Sequence, residues 1–203
     1  MDQAPPMIRV AIVDDHPAVR LGLAAALSGQ PDLEPAGSVG SSRELAPLLY
    51  RTRPDVVLLD YHLPGADGLT VCRRIKADVL APAVLLYSAF ADDSMIVPAI
   101  IAGADGVLDK GAPPRELYAN LRRVACGERA LPPVSPALVR AASEALDPAD
   151  LPILGMLVDC MPPAEVAADL RIERVEFSRR LDRMLARINL PVPAQTGPRP
   201  GAL

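Results

Sequence analysis

Short apolar runs alternate with helix-spaced stretches from Met7 to about Leu131, and this alternation constrains the chain more than any other feature. Ile8–Val13 (IRVAIV), Val56–Asp60 (VVLLD) and Ala83–Ser88 (AVLLYS) are too short for helices and read as buried strands. Leu33–Val39 is a weaker strand and Gly106–Leu108 a short one. Between them, Pro17–Ser28 carries Val19, Leu23 and Leu27 at helical spacing, with Pro17 suited to a first turn. Ser41 or Ser42 is placed to cap a helix running to about Arg51. Leu69–Asp78, Asp92–Ala102 and Pro113–Cys126 complete the set of helices. Five strands alternating with five helices predict an α/β fold, a doubly wound parallel sheet covered on both faces. Pro98 falls inside the fourth helix, so that helix either starts late or bends.

Beyond Leu131 the pattern changes. Pro132, Pro133 and Pro136 mark a linker with room for a short helix, and Asp147 to Leu190 is helical throughout. The last stretch, PVPAQTGPRPGAL, has four prolines and two glycines and reads as a disordered tail. The expected division is therefore 7–131, a linker over 132–146, a small all-α domain over 147–190 and a tail over 191–203. Half of the 203 residues are apolar, enough for a real core. No apolar run reaches the length of a membrane span, and Met1–Met7 lacks the apolar centre of a signal peptide, so the cytoplasm is the expected location. Cys72, Cys126 and Cys160 suit neither a metal site nor a disulfide framework and are expected to be buried thiols. The net charge of −4 gives no global sign of nucleic-acid binding. Lys76 and Lys110 are the only lysines, so at least one is expected to need a compact ammonium in place of a planar fork.

The chemistry gathers at strand ends. Asp14 and Asp15 end the first strand and Asp60 the third. In open α/β sheets ligands bind beyond the carboxyl ends of strands, where strand order reverses. Three carboxylates converging there raise one another's pKa unless a cation sits among them, and hard oxygen donors favour Mg²⁺. Ser88 ends the fourth strand and Lys110 follows the fifth. A hydroxyl, an ammonium and a divalent ion around one carboxylate are what phosphoryl transfer requires. Each aspartate alone could be a helix cap or turn residue, but five such groups at four strand ends make that reading a poor one. A metal-dependent phosphatase or hydrolase would fit the acidic cluster in isolation, yet no extra base or lid is evident.

VDDHPAVRLGL, VVLLDYHLPGADGL, LLYSA and GADGVLDKGAPPREL resemble the successive motifs of bacterial response-regulator receivers of the NarL/FixJ type. The resemblance implies a flavodoxin-like (βα)5 receiver in which Asp60 accepts a phosphoryl group from a sensor histidine kinase or a small phosphodonor. It implies that Asp15 and Asp60 bind Mg²⁺ with the His62 backbone carbonyl, and that Asp14 orients metal-bound water. Ser88 and Lys110 would contact the phosphoryl oxygens. His16 and His62 flank the site. Receivers of this kind often carry a switching aromatic three residues before the lysine. Here Val107 stands there, so output is expected to depend more on backbone and helix movement.

The segment LDPADLPILGMLVDCMPPAEVAADLRIERVEFSRRLDRMLARINL resembles a LuxR-type helix-turn-helix. Pro163–Leu170 would be the scaffold helix and Arg174–Asn189 the recognition helix, with Phe177, Leu181, Met184 and Ile188 as its buried stripe. Arg174, Arg179, Arg180, Arg183 and Arg187 would then face solvent or DNA. From Asp147 to Leu190 six basic residues meet eight acidic ones, which is poor for phosphate contacts, although the recognition helix alone is +3. Pro152 is expected to break the first helix of this segment early. Cys160, Glu176 and Ser178 depart from the family's usual residues, and no fourth helix of this domain is evident. Two functions stay open. One is a phosphorylation-controlled transcription factor that binds DNA and forms a homodimer. The other is a phospho-regulated interaction module whose helix-turn-helix does not bind DNA.

Overall fold

A computed structural model describes residues 7–78, 80–89 and 91–188. The expected tail over 191–203 and the last residues of the recognition helix lie outside that range.

The sheet is built from β1 (Ile8–Val13), β2 (Leu33–Val39), β3 (Val56–Asp60), β6 (Ala83–Ser88) and β7 (Gly106–Asp109), in the order β2-β1-β3-β6-β7. All four pairings are parallel. β3 is buried along its whole length, as its unbroken VVLLD run demands. Between β3 and the following helix sits a hairpin of two-residue strands, β4 (His62–Leu63) and β5 (Ala66–Asp67). The helices are α1 (Pro17–Ser28), α2 (Ser42–Thr52), α3 (Gly68–Ile75), α4 (Ile96–Ala102) and α5 (Pro114–Ala125). One apolar cluster joins β1 and β3 to α1 and α5, and a second fills the face covered by α2, α3 and α4.

The helix with the internal proline starts late. A 3-10 turn at Asp93–Met95 precedes α4, so Pro98 falls in the first turn, where a missing N–H costs no intrahelical bond. Both lysines are held in ion pairs. Lys76 Nζ lies 2.8 Å from Asp105 Oδ2, which also accepts from the Val84 N–H.

The linker is partly helical: α6 (Pro136–Ala145) begins at Ser135, whose hydroxyl accepts from the Leu138 N–H. Then come α7 (Leu151–Val158), α8 (Pro163–Asp169) and α9 (Arg174–Ile188). Pro152 does not break α7. A 3-10 turn at Pro148–Asp150 leads into the helix, and Pro152 occupies its first turn. All seven residues of α4 are buried, because α6, α7 and α9 pack against it. Phe177, Leu181, Met184 and Leu185 of α9 belong to the same apolar cluster as Ile96, Ile100 and Ile101. Leu185 takes a buried place expected for Ile188, which is half-buried. Only Cys72 is a buried thiol; Cys126 and Cys160 are exposed, since each stands at the end of a short helix.

Candidate functional site

The strand order reverses between β1 and β3, and the acidic residues meet there. Asp14 and Asp60 are both buried. Lys110, just after β7, bridges them: its Nζ donates to Asp14 Oδ2 at 2.7 Å and lies 2.8 Å from Asp60 Oδ2. Burial works against the Lys110 ammonium, but the hydrogen bonds and charges of Asp14 and Asp60 outweigh it and raise the pKa. Lys110 is fixed from behind by its N–H, which donates to the Ser88 carbonyl at 2.8 Å.

The surrounding backbone is shaped to hold these groups. The His16 N–H donates to Asp14 Oδ1 at 2.8 Å, and the His62 N–H donates to Asp60 Oδ1 at 3.3 Å. Arg20 of α1 reaches back and donates to the Asp14 carbonyl at 2.7 Å. A Cβ at Gly68 would sit 2.6 Å from the Asp60 carbonyl oxygen and 2.7 Å from Tyr61 Cα, so only glycine lets α3 begin so close to Asp60. Ser88 is fully buried at the end of β6, one residue beyond Tyr87, the register partner of Asp60. Val107 is buried in β7 opposite Leu86.

The donor set fits a divalent cation. Asp14, Asp15, His16 and Asp60 each offer a ligand atom, and these atoms lie within 4.8 Å of one another. Lys110 neutralises only one of three carboxylates. Asp15 Oδ1 is buried without a hydrogen-bond partner, and its nearest cationic neighbour is the ring of His16, with Nδ1 at 2.6 Å. A buried anionic oxygen of that kind calls for a cation. His16 is the member of this cluster that sequence reasoning left at its margin. Its place directly after the aspartate pair was the available signal.

The arginines of α9 lie elsewhere, and most are engaged. Arg174 donates to the Ala77 carbonyl at 2.7 Å. Arg180 lies 3.5 Å from Glu176 and 3.6 Å from Asp150. Arg183 lies 3.0 Å from Glu176, and Arg187 3.6 Å from Asp147. Glu176 is held below the usual carboxylate range, chiefly by its hydrogen bond from Arg183. Among the described residues, only Arg179 of the five makes no such contact. Arg73 of α3 crosses to α9, where it donates to the Ser178 carbonyl at 3.2 Å and to Ser178 Oγ.

A five-stranded parallel sheet with carboxylates and a lysine at its switch point defines a receiver-like α/β domain. Residues 10–122 match the response regulator receiver domain family, and the chain belongs to it. The transcriptional regulatory protein LiaR of Bacillus subtilis is 37% identical over 122 residues, covering 60% of this chain and 58% of LiaR. The DNA-binding transcriptional activator DevR/DosR of Mycobacterium tuberculosis is 28% identical over 194 residues, covering 91% of this chain and 89% of that protein. A crystal structure of a LuxR-family two-component response regulator from Aurantimonas sp. SI85-9A1 superposes with a TM-score of 0.58 at 29% identity. It covers 68% of this chain and 96% of its own. The chain is thus a two-component response regulator of the NarL/LuxR type.

Proposed function

We propose that Asp60 accepts a phosphoryl group from a sensor histidine kinase, and that the phosphorylated chain regulates transcription through its C-terminal helix-turn-helix. The observation that carries this reading is the bridging of buried Asp14 and Asp60 by Lys110 beside Asp15. Asp60 Oδ attacks phosphorus, a P–O bond forms, and the P–N bond to the donor imidazolium breaks, its electron pair returning to that nitrogen while the other ring nitrogen keeps the proton it already carries. Lys110 turns from Asp60 to the incoming phosphoryl oxygens, and the Ser88 hydroxyl donates to another of them. Asp15, Asp60 and the His62 carbonyl would hold Mg²⁺, with Asp14 orienting its water. The ion supplies charge neutralisation at the phosphoryl oxygens. The protein stores the signal and turns over no substrate of its own, and it works in the cytoplasm.

The packing of α9 on α4 supports a closed resting form. A helix whose apolar face is shared with the receiver, and whose arginines are mostly paired within the chain, is poorly disposed to meet DNA. Phosphorylation would release residues 147–190 from residues 7–131 and permit dimerisation. The same pairing gives weight to the second reading, an interaction module that never binds DNA. An electrophoretic shift with the chain's own promoter, across salt and with or without acetyl phosphate, separates the two. The first reading expects a shift that strengthens on phosphorylation and weakens steeply with salt. No shift in the phosphorylated form, or one indifferent to salt, rejects it.

A further inference from the structure

We propose that Tyr87 is a positioning residue for phosphoryl transfer, one that fixes the Lys110 ammonium beside Asp60. This rests on the reading of Lys110 as the group that meets the phosphoryl oxygens.

Strand alternation turns Leu86 toward the cluster under α2, α3 and α4, and Tyr87 toward the one that α1 and α5 cover. In the sheet Tyr87 is in register with Asp60 on one side and Leu108 on the other. Its hydroxyl donates to the Lys110 carbonyl at 3.4 Å, and the Lys110 Nζ stands over its ring, 5.8 Å from the centroid. The next residue, Ser88, accepts from the Lys110 N–H through its carbonyl at 2.8 Å. Tyr87 and Ser88 together hold Lys110 at its amide, its carbonyl and its ammonium.

The chemistry of the ring suits this task. An aromatic face attracts a cation through its quadrupole, and the attraction grows as water is removed. The Lys110 side chain is 20% exposed and Tyr87 is half-buried, so the contact is partly desolvated. Lysine carries its charge on a flexible four-carbon stem. A ring beneath the ammonium restricts that stem before the phosphoryl group arrives, so less freedom is lost in the transition state. The ring accepts no proton and leaves the donors of Nζ for Asp14, Asp60 and the incoming oxygens. The competing explanation is that Tyr87 fills the edge of the cluster and touches Lys110 incidentally.

A time course of labelling by acetyl phosphate with Mg²⁺, read by intact-mass spectrometry on the full chain, separates the two. Tyr87→Leu should lower the labelling rate about fivefold and leave Mg²⁺ affinity unchanged. Tyr87→Phe keeps the ring and should lose no more than about twofold. In a Lys110→Ala background neither change should have a further effect, because Tyr87 acts only through Lys110. A residue that merely fills space would slow both backgrounds alike. The chain has two lysines, Lys76 and Lys110, so their side-chain signals are readily told apart by nuclear magnetic resonance. Overhauser contacts from the Lys110 side chain to the Tyr87 ring are expected in the wild type, a measurement that needs no substitution. Absence of those contacts, wild-type labelling of Tyr87→Leu, or equal losses in both backgrounds overturns the proposal and leaves the role of Lys110 standing. Labelling of Lys110→Ala at the wild-type rate overturns both.

Discussion

Arg73→Met removes the polar link between α3 and α9 while keeping most of the apolar stem. The guanidinium is buried, with the Arg73 residue 8% exposed. It donates to the Ser178 carbonyl at 3.2 Å and to Ser178 Oγ, and its Nε lies 3.1 Å from Asp182 Oδ1. That last contact is an ion pair without hydrogen-bond alignment, since Nε is unsatisfied. Asp182 is 58% exposed, so solvent screens the pair to below about 1 kcal/mol. The two hydrogen bonds from a charged donor contribute about 1–1.5 kcal/mol each, the longer one less. The expected cost is therefore about 2–3 kcal/mol, most of it at Ser178. If the chain unfolds as one unit, Tm falls by roughly 4–10 °C. If α9 undocks first, amide exchange in α9 and α4 accelerates by about thirtyfold or more while the sheet stays protected. Hydrogen exchange read by mass spectrometry, beside calorimetry, distinguishes these outcomes. Asp182→Ala, by the same reasoning, costs less than about 1 kcal/mol. Unchanged Tm together with unchanged exchange in α9 would refute the view that Arg73 holds the two parts together.

Two further predictions concern titration and access. Burial pushes the Cys72 thiol up to about 12, whereas Cys126 and Cys160 are exposed, so a thiol reagent at neutral pH should modify two cysteines in the native chain and three after denaturation. The hydrogen bond from Arg122 lowers the Asp32 pKa against the opposing effect of burial, so this pair contributes stability that is present above about pH 3.8 and lost as pH falls through the folded value. Acid unfolding of Asp32→Asn should begin from a lower stability and lack that component, which chemical denaturation across pH will reveal.

The strands and the site were largely legible because both rest on local signals. A run such as VVLLD, short and opening on two β-branched valines, reads as a strand buried on both faces, and its terminal aspartate then falls at the sheet's edge by geometry. Lys110 was legible from its place just after the fifth strand; the scarcity of lysine did not separate it from Lys76, which pairs with Asp105. The docking of α9 was not, for a stripe such as Phe177, Leu181 and Met184 declares that a face is buried without naming what covers it. The Glu176–Arg180 pair follows from i,i+4 spacing, but Asp147 and Asp150 reach Arg187 and Arg180 only once the helices have packed. Pro98 and Pro152 share one explanation. A preceding 3-10 turn moves each into a first turn, a detail that helical periodicity does not encode.

The central claim is that Asp60, neighboured by Lys110 and the Asp14–Asp15 pair, takes the phosphoryl group. Intact-mass spectrometry after incubation with acetyl phosphate and Mg²⁺ tests it directly. One added phosphoryl group is expected in the wild type and none in Asp60→Asn, with chelation of the metal abolishing the label. Full labelling of Asp60→Asn would contradict the account.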